Sequence, residues 1–293
     1  VIDKQPIIDV RHVSKVFGGG KRGDRGFRAV DDVSLSIRRG ESFGLVGESG
    51  SGKSTTARLI MRLVEKTSGE VLIDGTPIHD LPPRALRDFR RTIQIVFQDP
   101  YASLNPRLTI GDTLADCLRF HGIGTASSRI QAARDILDQV ALGADYGTRY
   151  PHQLSGGQCQ RVGIARALIL EPRIVVLDEP VSALDVSVQA QILNLLSNLQ
   201  RERDLTYLFI SHDLNVVRHF CDRVGIMYRG TLVEEGTSRE VFETPRHLYT
   251  AALVDAVLDV RSDVKLKDRR SLDDIASHDG RTKAPEARLS FQS

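Results

Sequence analysis

GESGSGKST, residues Gly47 to Thr55, is the stretch on which the reading of this chain turns. Gly47, Gly52, Lys53 and Ser54 fall where the pattern G-x-x-x-x-G-K-S/T requires them, with Glu48, Ser49, Gly50 and Ser51 between the two glycines and Thr55 closing the loop. Immediately before it, Phe43 to Val46 are apolar and follow a turn at Arg39-Gly40, the mark of a short buried strand. Immediately after it, Ala57, Ile60, Met61 and Val64 recur at helical spacing. A glycine-rich turn without a ligand can carry the same letters, but strand, loop and helix in succession favour a phosphate cradle. Its glycines let backbone N–H groups wrap an anion at the positive end of the helix. Lys53 adds a point charge toward the terminal phosphates, and Ser54 offers a hydroxyl to Mg²⁺.

Outward from the loop, the pattern alternates. Ile7 to Val13 and Val33 to Ile37 read as strands, separated by a glycine-rich basic loop, Gly18 to Arg28, expected to be a solvated hairpin. Downstream come a short strand Glu70 to Asp74, an apolar strand Thr92 to Phe97 ending in Gln98-Asp99-Pro100, and a helical stretch between about 110 and 142 closed by Pro151. A helix over Gln160 to Leu170 follows, then strand Ile174 to Leu177, helix Val188 to Arg201, strand Leu205 to Ile210, helix Leu214 to Cys221 and strand Arg223 to Tyr228. Such alternation predicts an α/β fold with a largely parallel sheet flanked by helices.

Three further motifs sit at the ends of these elements. Ile174 to Leu177 deliver Asp178 and Glu179 to the carboxyl end of a buried strand, where open α/β sheets bind ligands. Read alone, that pair is a solvated strand end. Joined to a phosphate loop, Asp178 suits a Mg²⁺ ion held through water, and Glu179 suits a group that polarises the attacking water. Gln98 and His212 also end strands, where an amide oxygen can reach Mg²⁺ and an imidazole can meet a γ-phosphate. Leu154-Ser155-Gly156-Gly157-Gln158 precedes a helix and makes a second anion cradle. Two cradles for one nucleotide are reconciled if two copies meet head to tail with the nucleotide between them.

Composition narrows the classes. A chain of 293 residues with 41% hydrophobic content can bury one large domain and a small appendage. Forty basic against 38 acidic side chains give no electrostatic support for binding nucleic acid. No apolar run approaches the ~20 residues needed to cross a bilayer, and nothing at the start reads as a secretory leader, so a protein soluble on its own is expected. Cys117, Cys159 and Cys221 stand apart, which suits a reducing cytosol and argues against a zinc or iron–sulfur site. The first residue is Val1, which leaves open a trimmed chain or one part of a longer polypeptide. From Arg261 onward charged residues and Ser dominate, and the tail is expected not to order itself.

Taken in order, these motifs resemble the ATP-binding cassette family, the cytosolic motor subunits of ABC transporters, over roughly residues 5 to 255. The resemblance implies a P-loop NTPase core with a mostly parallel sheet, an antiparallel β subdomain and a helical subdomain at about 100–165. It divides the chain into a nucleotide-binding domain at 1–245 and a C-terminal extension at 246–293. It makes Gln98 the Q-loop glutamine, Glu179 the catalytic base, His212 the switch histidine, and Ser182 to Asp185 the D-loop. Ser155, Gly156, Gly157 and Gln158 become the signature, acting together with Asp185 on the nucleotide of a second cassette. ATP and Mg²⁺ are the implied ligands, with Ser54, Gln98 and Asp178 at the metal. Cys159 departs from the basic residue that often follows the signature. The aromatic that stacks on adenine is Phe17 or Phe27, with Phe17 the better match.

Phe97 to Arg107 (FQDPYASLNPR) and Thr244 to Val257 (TPRHLYTAALVDAV) resemble the oligopeptide/dipeptide importer branch, which also includes nickel and glutathione importers. That implies two transmembrane permease subunits, an extracytoplasmic substrate-binding protein, and a place on the cytoplasmic face of a bacterial inner membrane. The iron–sulfur centre of some branch members is not carried over, because no cysteine follows Cys221. Two other classes compete: a soluble ABC ATPase acting on DNA or ribosomes, and an inert nucleotide-binding regulator. No long coiled-coil insertion follows Gln98 and no second cassette is present, which argues against the first. The presence of both Glu179 and His212 argues against the second.

Overall fold

The computed structural model describes residues 5–18 and 26–258. The interior of the basic loop expected between Gly18 and Arg28, and the tail expected from Arg261, lie outside them.

Ten strands and nine α-helices follow one another in the described residues: β1 (Ile8–Phe17), β2 (Phe27–Ile37), β3 (Ser42–Val46), α1 (Lys53–Ile60), β4 (Ser68–Ile73), β5 (Thr76–Pro77), α2 (Pro83–Phe89), β6 (Ile93–Val96), α3 (Ile110–Phe120), α4 (Ala126–Gln139), α5 (Gly156–Leu168), β7 (Ile174–Asp178), α6 (Val186–Arg203), β8 (Thr206–Ser211), α7 (Leu214–Phe220), β9 (Arg223–Tyr228), β10 (Thr231–Thr237), α8 (Ser238–Glu243) and α9 (Leu248–Leu258). Six strands form one sheet in the order β10-β9-β3-β8-β7-β6, parallel except for the β9–β10 pair. Four form an antiparallel sheet in the order β2-β1-β4-β5.

The larger sheet is buried on both faces, as parallel sheets with crossover helices must be. Alternate side chains go to different cores. Ile174, Val176, Leu208 and Ile210 join β1, β2, β4 and the Ala57-Leu59-Ile60 face of α1. Val175, Leu177, Tyr207 and Phe209 join α3 to α7. Register then sets the chemistry: Val46 is level with Ser211, Asp178 with Ile210, and Val96 with Leu177. Every residue that follows those strand ends therefore emerges along one edge of the sheet.

Several elements differ from expectation. β1 and β2 run longer than Ile7–Val13 and Val33–Ile37, because bulges interrupt their apolar alternation. His12 and Asp32 take left-handed φ of 50° and 52°, and the side chains of Ser34 and Ser14 accept their backbone N–H groups. The single helical stretch of 110–142 is two helices, turned at Gly122 and Gly124 and restarted by a Thr125–Ser128 capping box. β10 shows no apolar alternation (TLVEEGT), since buried charge supports it: Arg223 bridges Glu235 and Glu41, the latter at 3.1 Å. α9 is tied to β10 by Glu234, whose carboxylate accepts from the N–H groups of Arg246 (2.9 Å) and His247 (3.0 Å).

Candidate active site

The loop between β3 and α1 is built around backbone shapes that only glycine adopts freely. Gly47 has φ 154°, and a Cβ there would strike the Met227 carbonyl and Ser51 Oγ. Gly52 has φ 104° and ends the loop as the N-cap of α1, leaving the first helical N–H groups directed at the loop's mouth. Lys53 is only 5% exposed and its Nζ donates to the Gly47 and Glu48 carbonyls at 2.8 and 2.7 Å. Burial lowers its pKa, against the opposing pull of Glu179, Asp178 and Glu48. A buried ammonium held by two carbonyls, with carboxylates nearby, is a cation placed to meet an anion.

Across the sheet edge, Ser54 Oγ donates to Asp178 Oδ1 at 3.2 Å. Burial raises the Asp178 pKa, while the Ser54 hydrogen bond and Arg58 oppose the rise. This hydroxyl and partly desolvated carboxylate are hard oxygen donors, and their chemistry fits Mg²⁺. Glu179 stands next to them in a left-handed conformation, φ 49°, which costs a residue bearing a Cβ about 1–2 kcal/mol. Its N–H donates to the Ile210 carbonyl (3.0 Å), and its own carbonyl accepts from Ser182 N–H (3.3 Å) and Ser182 Oγ (3.1 Å). The backbone is thus clamped on both sides in a strained turn that re-aims the carboxylate. Gln98 Nε2 donates to Glu179 Oε2 at 2.9 Å, and His212 Nδ1 lies 3.2 Å from the same oxygen. Gln98 therefore points its amide at Glu179, and the Ser54–Asp178 pair forms without it.

Ser49, Gly50, Gly52, Lys53, Ser54, Thr55, Gln98, Glu179 and His212 line one cleft of about 630 Å³, together with Phe27 and Ala29. Phe17 does not line it. It is the cross-strand partner of Phe27 and carries Lys15 Nζ 4.9 Å from its ring centre. Ser155, Gly156, Gly157, Gln158 and Asp185 are not in the cleft either. Ser155 caps α5 in a box with Gln158, its Oγ accepting from Gln158 N–H (3.3 Å) while Gln158 Oε1 accepts from Ser155 N–H (2.9 Å). Asp185 caps α6 and accepts from Val188 N–H (2.9 Å) and Ser187 Oγ (2.7 Å), bonds that lower its pKa. Helix α5 thus begins inside the LSGGQ segment, four residues earlier than the apolar periodicity suggests.

Sequence reasoning missed Arg166. Its guanidinium donates to the Ser103 carbonyl and lies 5.9 Å from the Phe97 ring centre, so it ties α5 to the segment carrying Gln98. An arginine in the last turn of a helix gives no signal of such a tie. Burial of Cys159 among apolar neighbours raises its thiol pKa and explains why a cysteine is tolerated after the LSGGQ segment.

The model of the ABC transporter family matches residues 30–182, which hold the phosphate loop, Gln98, the LSGGQ segment and Asp178-Glu179. The chain belongs to the ABC transporter family. It is 49% identical over 255 residues to the oligopeptide transport ATP-binding protein OppF of Bacillus subtilis, spanning 86% of this chain and 83% of that protein. It is 48% identical over 256 residues to the OppF of Streptococcus mutans serotype c, covering 87% and 82%. Among solved structures, a dimeric post-hydrolysis state of the ATP-binding cassette MJ0796 bound to ADP and Pi superposes with TM-score 0.71 at 36% identity, over 79% of this chain and 99% of that one. The cbiO1 protein of Clostridium perfringens, part of the ABC transporter complex cbiONQ, gives TM-score 0.71 at 27% identity over 88% and 96%. The chain is therefore an ABC ATPase with the cassette fold. The P-loop core, antiparallel sheet and helical layer anticipated from its motifs are all present.

Proposed function

We propose that this chain is the ATP-hydrolysing subunit of an importer of oligopeptides or dipeptides, working with a second cassette that closes over nucleotide head to tail. The observation that carries the reading is the division of the polar groups. One chain gathers the phosphate loop, Asp178, Glu179, Gln98 and His212 along a single sheet edge, yet leaves the Ser155–Gln158 cradle outside the cleft there. The peptide cargo rests on the names of the relatives, which are oligopeptide transport ATP-binding proteins.

ATP enters with its phosphates on Gly47 to Thr55, and Lys53 exchanges the Gly47 and Glu48 carbonyls for the β- and γ-phosphates. Ser54, Asp178 and Gln98 would hold Mg²⁺, which would supply neutralising charge to the triphosphate. Glu179 accepts a proton from water as its oxygen bonds the γ-phosphorus, and the bond to the β,γ-bridging oxygen breaks to release ADP and phosphate. His212 orients that water and the γ-phosphate. Ser155, Gly156, Gly157 and Gln158, with Asp185, act on the partner cassette's nucleotide through the N-terminus of α5. Phe17 offers adenine the ring face opposite Lys15, beside Phe27 in the cleft wall.

Residues 1–245 serve as the nucleotide-binding domain, the helical subdomain at about 100–165 passes motion to two transmembrane permease subunits, and 246–293 form the extension. The assembly works at the cytoplasmic face of a bacterial inner membrane, with an extracytoplasmic binding protein delivering cargo. Among the described residues no helix is long and apolar enough to cross a membrane, in keeping with a peripheral subunit. Mixing a Lys53→Ala chain with a Ser155→Arg chain tests the sharing. Each is inactive alone, and the mixed dimer regains one intact composite site and measurable phosphate release. Demonstrated mixed dimers that stay inactive, in a protein that tolerates one dead site, would overturn it.

A further inference from the structure

After Gln98 the chain folds into a tight turn. Asp99 closes it twice, its carboxylate accepting from Ala102 N–H (2.9 Å) and its carbonyl from Ser103 N–H (3.3 Å). The Tyr101 carbonyl accepts from Leu104 N–H (3.1 Å), and Ser103 Oγ donates to the Pro100 carbonyl (2.9 Å). Arg166 grips the Ser103 carbonyl from α5. The turn is therefore braced from within and from α5, and it continues directly from the strand end that carries Gln98.

Tyr101 is 46% exposed, yet its hydroxyl donates to the Leu154 carbonyl at 2.7 Å, the usual length for an O–H···O bond. Leu154 directly precedes Ser155, the N-cap of α5. The Ser155 carbonyl accepts the first helical bond, from Cys159 N–H at 2.9 Å, whereas the Leu154 carbonyl lies outside the helix and takes its partner from elsewhere. At the other end of the cradle Gln158 Nε2 donates to the Tyr146 hydroxyl at 3.0 Å. Tyr146 lies in the short helical turn Ala144–Thr148, within the helical layer itself. Tyr101 comes instead from the turn that extends β6, so its bond ties the cradle to the sheet edge that builds the cleft.

We propose that Tyr101 is a positioning residue for the LSGGQ cradle: its bond to Leu154 sets Ser155 to Gln158 at a fixed offset from Gln98, and its effect on hydrolysis is felt at the partner cassette's nucleotide. The inference rests on the head-to-tail sharing proposed above. Tyr101 does not line the cleft of its own chain, so the loss of its hydroxyl leaves the phosphate loop and its nucleotide affinity untouched. Tyr101→Phe keeps the ring and removes only the donor.

The test places Tyr101→Phe in one full-length chain at a time within the mixed dimer of Lys53→Ala and Ser155→Arg chains. The intact site of that dimer takes Lys53 and Gln98 from the Ser155→Arg chain and its cradle from the Lys53→Ala chain. On the Lys53→Ala chain, Tyr101→Phe lowers phosphate release at saturating MgATP about three- to tenfold, the equivalent of one neutral hydrogen bond. On the Ser155→Arg chain it leaves phosphate release unchanged. MgATP affinity of a single chain carrying Tyr101→Phe alone stays at the wild-type value. A general loss of packing would act from either chain, so the asymmetry separates positioning from mere support of the fold. Equal losses from both placements, a loss from the Ser155→Arg chain only, no loss from either, or weaker MgATP binding by the single chain would each overturn the proposal. A parent mixed dimer, shown to form, that releases no phosphate would sink the shared site first and this assignment with it.

Discussion

Glu179 combines a functional carboxylate with a backbone that the fold has to force, and two substitutions separate the roles. Its φ of 49° costs about 1–2 kcal/mol for any residue with a Cβ. Glu179→Gly removes that strain but gives back about 0.4–1 kcal/mol through a freer unfolded chain. The net expectation is a protein as stable as wild type or up to about 1.6 kcal/mol more stable, seen as an unfolding temperature 0 to about 6 °C higher. The carboxylate approaches Gln98 at 2.9 Å and His212 at 3.2 Å, but both partners are exposed, so removing it costs little in folding. Glu179→Gln keeps the strain, the shape and one acceptor oxygen, so its stability stays at the wild-type value. Both variants lose the base. Phosphate release under saturating MgATP should fall by about 10²–10⁴, or roughly 2.7–5.5 kcal/mol in the barrier, while nucleotide still binds. Thermal unfolding and phosphate release on the same preparations give the answer. Turnover of Glu179→Gln within a few-fold of wild type would refute the assignment of the base. A Glu179→Gly protein clearly less stable than wild type would refute the strain.

Two further outcomes follow from the same cleft. Burial holds the Asp178 pKa above its unfolded value of about 3.9, so the stability associated with this position is fully present below that pH and is lost as pH rises through the folded value. Asp178→Asn should therefore unfold no earlier than wild type at neutral pH without nucleotide, should lose that advantage below about pH 4, and should lose Mg²⁺-dependent hydrolysis. A lower unfolding temperature at neutral pH, or a gap that does not change with pH, would count against the reading. For the base platform, Phe17→Ala should raise the KM for ATP more than Phe27→Ala does, and the reverse order in steady-state kinetics would move adenine to Phe27.

What the sequence made legible was whatever the chain must satisfy locally. The phosphate loop could be read because Gly47 and Gly52 take backbone shapes that are strained for other residues, and because β3, β7 and β8 are buried on both faces and so are written as largely apolar runs. Elements stabilised by polar groups from elsewhere were hidden. β10 depends on Arg223 and Glu41, and the bulged ends of β1 and β2 depend on Ser14 and Ser34 filling in for missing backbone partners. Apolar spacing alone begins α5 only at Gln160, because glycines at its first two positions carry no periodicity, whereas the Ser155–Gln158 box marks the helix N-terminus that the anion cradle needs.

The same distinction explains why the two phenylalanines could not be separated in the sequence. Phe17 and Phe27 face each other across β1 and β2, so either identity satisfies the local pattern, and only the cleft boundary distinguishes them. It also explains the LSGGQ segment, whose letters describe a good helix start whether or not a nucleotide ever meets it. Inside one chain the Ser155 hydroxyl accepts from the Gln158 backbone N–H and the Gln158 side-chain oxygen accepts from the Ser155 backbone N–H, and the cleft closes around its own residues without them. At Gly157 packing itself asks for glycine, since a Cβ there would meet Val188 Cγ1 at 2.4 Å, whereas at Gly156 a Cβ would make only an ordinary contact with Leu184 at 3.6 Å. The small residues also keep the helix N–H groups approachable, which is what the proposed head-to-tail sharing of nucleotide requires.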